Sequence, residues 1–447
     1  MIPPGIIDRD SVVAAIGTVL REELAHPHLD GFGPEARLNE DLYLDSVQLL
    51  QLILALEMNL GLCIPEEALG RAAIVTVADL AERLAPADRA PQPLTPAAQP
   101  EMPAPASAGV HGEMPYDLKI HCFVSCLCDG LKPRGIDHRP FYALIWDAEF
   151  AITEDFRLAY HSEAMDHESF RHWFERLYGV PLLGWYDHAA DKDANVATLL
   201  GLLAARASDE RIMVMLDMFH LPERENKFNQ NPFPHYLLVS LTEDPETWQV
   251  RDPDFRWEGR IARDRLLGAI RQPSVAGGYR FDPSRAHPPA DVDLAAFFAA
   301  CFRPEANPLI DAVRVIVSAH AEGRGGLRLA EIGVALRELP VITIRKWAYE
   351  HGFAFFWRAL HWPDAEFQRI CDAIEALVNG LTALHYAVLK LARTEDATLV
   401  APVVARLDAL DDAEFAIKRR LAAAFDAWRA ASPALRGASP TRERLDA

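Results

Sequence analysis

Apolar residues recur at helical spacing along Val47, Leu49, Leu50, Ile53, Leu54 and Leu56, and the polar pair Asp45-Ser46 stands at the head of that run. The pattern predicts an amphipathic helix opening near Ser46, where free backbone N–H groups and the helix dipole favour a phosphodiester. The bland alternative is that Ser46 is only an N-cap.

Periodicity then fails. The stretch APADRAPQPLTPAAQPEMPAPASAGVHGEMP is rich in Pro and Ala and buries no core, so residues 86–115 are expected to form an extended, semi-rigid tether with reach rather than rigid docking. It separates a small unit, residues 1–85, from the remainder. From 116 to 288 helical stretches come first, followed by the β-rich runs IMVMLDM, HYLLVSL and WQVRDP, which predicts an α+β domain. Residues 289–435 carry long segments at helical spacing, among them NPLIDAVRVIVSAHAEG and EFQRICDAIEALVNGLTALHYAVLKLA, and predict an all-helical domain. Residues 436–447 are expected to be a flexible tail.

Composition narrows the setting. Six cysteines in 447 residues form no regular framework, so reduced thiols in a cytoplasm are expected. The segment MIPPGIIDRDSVVAAIG has no basic stretch followed by an apolar one, and no window approaches the roughly 18 apolar residues of a membrane span. A net charge of −20 opposes nucleic acid and anionic membranes and suits a basic enzyme patch or a polycationic small molecule.

Candidate chemistry begins just past the tether. In KIHCFVSCLCDGL, Cys122 is placed to start a helix, where the dipole favours thiolate over thiol. Cys126 falls one turn later on the same face, and Cys128 points elsewhere. His235 opens one β-rich run and Asp252 closes the next, so two adjacent antiparallel strands would bring them side by side. A cysteine at a helix start facing a histidine held by an aspartate is papain-like: His235 moves protons and Asp252 fixes its tautomer. The rival readings are buried structural thiols for Cys126 and Cys128, and a satisfied strand-end histidine for His235. The spacing Cys-x3-Cys-x-Cys is not that of a closed zinc site, so no metal is expected. Asp217 reads equally as an amine-binding group or a loop cap, and Glu223, Arg224 and Glu225 read as a solvated loop.

Two resemblances sharpen these expectations. Residues 5–85 resemble the acyl carrier protein family, whose Asp-Ser-Leu signature stands here as Asp45-Ser46-Val47, with the Leu-rich helix ending in Glu57 and the run from Ile74 to Leu80 matching the start of the last helix. That resemblance implies a four-helix bundle carrying 4'-phosphopantetheine on Ser46, installed by a phosphopantetheinyl transferase and charged by an acyl- or aryl-activating ligase. Residues 116–270 resemble the butirosin biosynthesis protein H family of papain-like acyltransferases through His121-Cys122, the strand from Val214 to Phe219 followed by Leu221-Pro222, His235, and Asp252-Pro253. The combination is similar to the carrier and aryl transferase of petrobactin siderophore assembly, fused in one chain. It implies amide formation from a carrier-bound thioester, with 3,4-dihydroxybenzoate as acyl group and a polyamine such as spermidine as acceptor. One departure stands out: papain-like enzymes have a Gln shortly before the Cys, and MPYDLKIHC has none. The Cys122 backbone N–H with another donor is then the candidate oxyanion site. The rival functions are a thioesterase or cysteine hydrolase, and a carrier joined to a non-catalytic interaction domain.

Overall fold

The computed structural model describes residues 9–39, 41–44, 46–64, 74–86, 120–147, 149–160, 168–222, 224 and 231–435. The expected tether and tail therefore fall almost wholly outside the described residues. Among those residues, no helix is long and apolar enough to cross a membrane.

The N-terminal unit contains helices α1 (Arg9–Glu22), α2 (Ser46–Leu60) and α3 (Val77–Arg83). Helix α2 starts at the serine that the apolar spacing indicates. Thr76 accepts from the Asp79 N–H while the Asp79 carboxylate accepts from the Thr76 N–H, a reciprocal cap that fixes where α3 begins. Ile16, Leu20, Leu52, Leu56, Val77 and Leu80 close the core between these helices. The four helices expected of a carrier bundle are not all found among the described residues, and 65–73 lie outside them.

The middle region is α+β. Helices α4 (Cys122–Leu131), α5 (Glu168–Tyr178) and α6 (Lys192–Ala205) surround a six-stranded sheet of β1 (Leu183–Gly184), β2 (Arg211–Asp217), β3 (Pro234–Leu241), β4 (Thr247–Asp252), β5 (Trp257–Ala262) and β6 (Gly278–Phe281). The order is β1-β6-β2-β3-β4-β5, every neighbouring pair antiparallel. Helix α7 (Arg263–Ile270) links β5 back towards β6. Burial alternates along β4, with Trp248, Val250 and Asp252 facing inward, as expected of a strand covered on one face. Strand β3 is buried over the continuous run His235–Val239 because α4 packs against it.

Helices α8 (Asp291–Cys301), α9 (Pro308–Ala321), α10 (Ala348–Ala359), α11 (Asp364–Thr394) and α12 (Val400–Ala431) form the C-terminal part. A continuous apolar core runs from Ile120 to Leu435, so the sheet and these helices pack as one body. Phe297 of α8 lies 6.2 Å from the ring of Phe141 and 5.2 Å from that of Trp173. Buried charges also cross this junction: Lys346 Nζ donates to the Trp146 carbonyl at 2.7 Å and to Glu414 at 2.6 Å, and Lys418 Nζ donates to Asp147 at 2.7 Å.

The N-terminal unit rests on this body, in contrast to the undocked reach that the tether's composition suggests. Glu57 of α2 accepts from Tyr386 Oη and Lys390 Nζ of α11, and Ala383 and Tyr386 join the apolar cluster of the N-terminal unit. A contact of this kind depends on surface complementarity between distant segments, which a linker's composition does not encode.

Candidate active site

Helix α4 begins at Cys122 because His121 caps it: the His121 backbone is extended and its Nδ1 accepts from the Val124 N–H at 3.5 Å. The turn into the helix is held by Asp254, whose Oδ1 accepts from the N–H groups of Ile120 and His121, each at 3.0 Å, and from Ser125 Oγ at 2.8 Å. Among the described residues the Cys122 N–H has no partner, so it stands open at the start of α4 beside its own thiol. Cys122 is partly exposed, whereas every other residue of α4 is buried.

His235 and Asp252 meet across β3 and β4. The register pairs Leu238 with Arg251, which puts His235 and Asp252 on one face as diagonal neighbours. Asp252 Oδ1 accepts from His235 Nε2 at 3.1 Å and from the Phe255 N–H at 3.2 Å, and Oδ2 accepts from Arg224 at 2.8 Å. With Nε2 turned to Asp252, Nδ1 is the ring nitrogen left for Cys122, whose sulfur is near enough to act on the imidazole electrostatically. Asp252 has no exposed surface and His235 almost none.

Electrostatics follow from that burial. Desolvation disfavours charge on His235, but the Asp252 carboxylate and the Cys122 sulfur outweigh it and raise the imidazole well above its ordinary 6.5. Desolvation likewise pushes Asp252 up, and the stronger pull of His235, then Arg224, leaves it below the ordinary carboxylate range. Burial raises Asp254. The balance favours the imidazolium form of His235 beside the carboxylate of Asp252.

Three of the residues named from the sequence, Cys122, His235 and Asp252, come together here. Cys122 and His235 open onto a cavity of about 780 Å³ walled in part by Tyr160, Tyr236 and Arg345. Cys126 and Cys128 are fully buried, their thiols directed at the carbonyls of Tyr236 and His138. Asp217 is a loop cap: Oδ1 accepts from the N–H groups of Phe219 and Phe233, and Oδ2 accepts from Ser274 Oγ. Ser46 lies at the start of α2 in the N-terminal unit.

Arg224 corrects the solvated-loop expectation. Its side chain is 5% exposed, it pairs with Asp252, and its guanidinium carbon lies 4.3 Å from the centre of the Trp257 ring. Two flanking glutamates in the sequence disguise it. Asp254, Tyr160 and Arg345 also escape sequence reasoning. Asp254 had a faint signal, a second aspartate two residues past Asp252; the other two had none.

A thiol at a helix start and the histidine of a buried His–Asp pair line one cavity, an arrangement chemically able to support acyl transfer. Residues 117–286 match the family described as DUF6005 N-terminal domain, and residues 292–442 match DUF6005 C-terminal domain. The chain is 40% identical over 313 residues to petrobactin synthase of Bacillus anthracis, covering 70% of this chain and 96% of that protein. It is also 36% identical over 72 residues to the acyl carrier protein AsbD of the same organism, covering 16% of this chain and 79% of the carrier. The chain belongs to the petrobactin synthase family: it is an enzyme with a carrier-like region in the same polypeptide.

Proposed function

We propose that this chain is a self-contained N-acyltransferase of siderophore assembly, which moves an aryl or acyl group from a thioester on its own carrier unit to a primary amine. The division read from the sequence serves as the working plan: carrier unit 1–85, tether 86–115, papain-like transferase 116–288, helical domain 289–435. The observation that carries the reading is the buried hydrogen bond between His235 and Asp252, with His235 and Cys122 lining the same cavity. The kinship with petrobactin synthase and with AsbD supports both the siderophore setting and a carrier role for Ser46.

Ser46 fits a phosphopantetheine arm, because it begins a 15-residue helix whose first N–H groups would favour a phosphodiester attached there. The arm would supply the terminal thiol on which the acyl group rides as a thioester. Cys122 Sγ attacks that carbonyl, and the Cys122 N–H lies where negative charge develops on oxygen. His235 then returns a proton to the departing thiol. In the second half the amine nitrogen attacks acyl-Cys122, His235 takes the ammonium proton, and the Cys122 thiolate leaves as the amide forms. Asp252 keeps Nε2 occupied throughout, so Nδ1 stays aimed at the sulfur. A phosphopantetheinyl transferase, an aryl-activating ligase and a polyamine acceptor such as spermidine are the partners, in a reducing cytoplasm.

The test is to install the arm with coenzyme A and a phosphopantetheinyl transferase, load 3,4-dihydroxybenzoate with its ligase and ATP, add spermidine, and follow intact mass and small-molecule products. The expected result is one arm on wild type, none on Ser46→Ala, and a new amide of dihydroxybenzoate and spermidine. Free acid with every amine tried would reassign the chain as a thioesterase.

A further inference from the structure

Among the described residues two carboxylates line the cavity beside Cys122, and one of them, Glu168, is paired with Arg171. The other is Asp254, which stands in the turn between β4 and β5 and is 8% exposed. Its two oxygens differ. Oδ1 is filled, since it accepts from the N–H groups of Ile120 and His121 and from Ser125 Oγ. Among the described residues Oδ2 has no hydrogen-bond or salt-bridge partner, yet it is not sealed from solvent as the unpartnered nitrogens of Arg345 are. A largely buried carboxylate with one idle oxygen is costly unless a ligand supplies the missing donor. Asp217, the aspartate that the sequence offered for amine binding, has no such vacancy, because both of its oxygens are taken.

We propose that Asp254 Oδ2 binds the reacting nitrogen of the acceptor amine in its ammonium form, beside acyl-Cys122. The proposal rests on the acyl-transfer reading and adds the group that receives the second substrate. A primary amine with a pKa near lysine's, about 10.4, arrives as an ammonium with three N–H donors and a positive charge. Burial raises the Asp254 carboxyl, and a cation against Oδ2 pulls it down again. The cavity is also walled by Tyr160, Tyr236 and Phe255, aromatic rings of the kind that hold an ammonium. Position follows from the filled oxygen: Oδ1 holds the N–H of His121, the residue before Cys122, so a nitrogen on Oδ2 of the same carboxylate is kept near the sulfur. Asp254 receives and orients the amine, and His235 remains its base.

The first measurement compares modification of Cys122 in the full chain by 2-aminoethyl methanethiosulfonate and by its neutral, near-isosteric propyl counterpart, read on the Cys122 peptide by mass and normalised to N-acetylcysteine. Wild type should favour the ammonium reagent roughly tenfold, and Asp254→Asn, which keeps one accepting oxygen for the turn, should lose the preference. A wild-type ratio no greater than that of N-acetylcysteine overturns the subsite, whether or not the variant folds. A wild-type Cys122 inert to both reagents contradicts the acyl-transfer reading, and the subsite falls with it.

The second measurement uses the reaction itself. Loaded wild type and Asp254→Asn are offered spermidine or hydroxylamine, which is uncharged at neutral pH, and rates are taken above those of Cys122→Ala. The ratio of kcat/KM for spermidine to that for hydroxylamine should fall roughly tenfold to a hundredfold in Asp254→Asn. An unchanged ratio reduces the carboxylate to a support for the turn and contradicts the proposal. Absence of transfer to either nucleophile in wild type contradicts the acyl-transfer reading instead.

Discussion

His235 Nε2 and Asp252 Oδ1 lie 3.1 Å apart across adjacent antiparallel strands, in a bond closed to solvent. The other oxygen of Asp252 is taken by Arg224, so the carboxylate is fixed from two sides before it orients the imidazole. Three graded effects are expected. His235→Ala should slow transfer roughly a hundredfold to ten-thousandfold, because both thiolate formation and deprotonation of the amine depend on it. Asp252→Asn should leave more activity than His235→Ala, and Arg224→Met more than either, since these residues act through the imidazole. Single-turnover rates with a loaded carrier check the order, and an Arg224→Met protein slower than His235→Ala contradicts it.

The same pair sets a pH dependence of stability. His235 is raised above its unfolded value of 6.5, so its contribution is complete below that pH and is lost as pH rises through the raised value. Asp252 is lowered from 3.8, so its contribution is present above that pH and is lost as pH falls through the lowered value. The melting-temperature gap between wild type and Asp252→Asn should therefore be widest between the two and should narrow towards strongly alkaline pH. Thermal denaturation across pH checks this, and a gap that widens on the alkaline side contradicts it.

Glu57 gives a direct readout of carrier docking. A zero-length carbodiimide should join Glu57 to Lys390, and the linked peptides should disappear in Glu57→Gln. Linkage of Lys390 to other carboxylates at equal yield in both proteins would show that this contact does not persist in solution.

The buried charges Lys346, Glu414, Asp147 and Lys418 hold the C-terminal helices to the turn that contains Asp147. Removing one member strands the others in a dry interior, at a cost of about 3–5 kcal/mol. Glu414→Ala should unfold at markedly lower temperature, whereas Arg314→Ala, which removes an exposed pair with Asp408, should cost less than about 1 kcal/mol. Chemical denaturation of both variants decides the point.

What the sequence discloses here follows from local physics. The starts of α2 and α4 are legible because capping and apolar spacing are properties of neighbouring residues. The His235–Asp252 pairing is legible because two β-rich runs joined by a short turn imply an antiparallel pair. Arg224 is hidden because its burial depends on where Trp257 and Asp252 stand after folding, and the glutamates beside it in the chain suggest solvent. Arg345 is hidden for the same reason: a 3-10 turn in the helical part delivers it to a cavity built mostly by the sheet. Docking of α2 on α11 likewise rests on Tyr386 and Lys390, which read by themselves as an ordinary helix face.

The covalent role of Cys122 is tested most directly by one single-turnover experiment. Wild type and Cys122→Ala, each with a loaded arm on Ser46, are mixed with spermidine and quenched over time for intact-protein and product mass analysis. Wild type should pass its acyl group to the amine with transient acylation of the peptide containing Cys122, while Cys122→Ala should keep its group on Ser46 at a rate of loss no faster than spontaneous aminolysis. Amide formation at the wild-type rate in Cys122→Ala would contradict covalent catalysis at this residue.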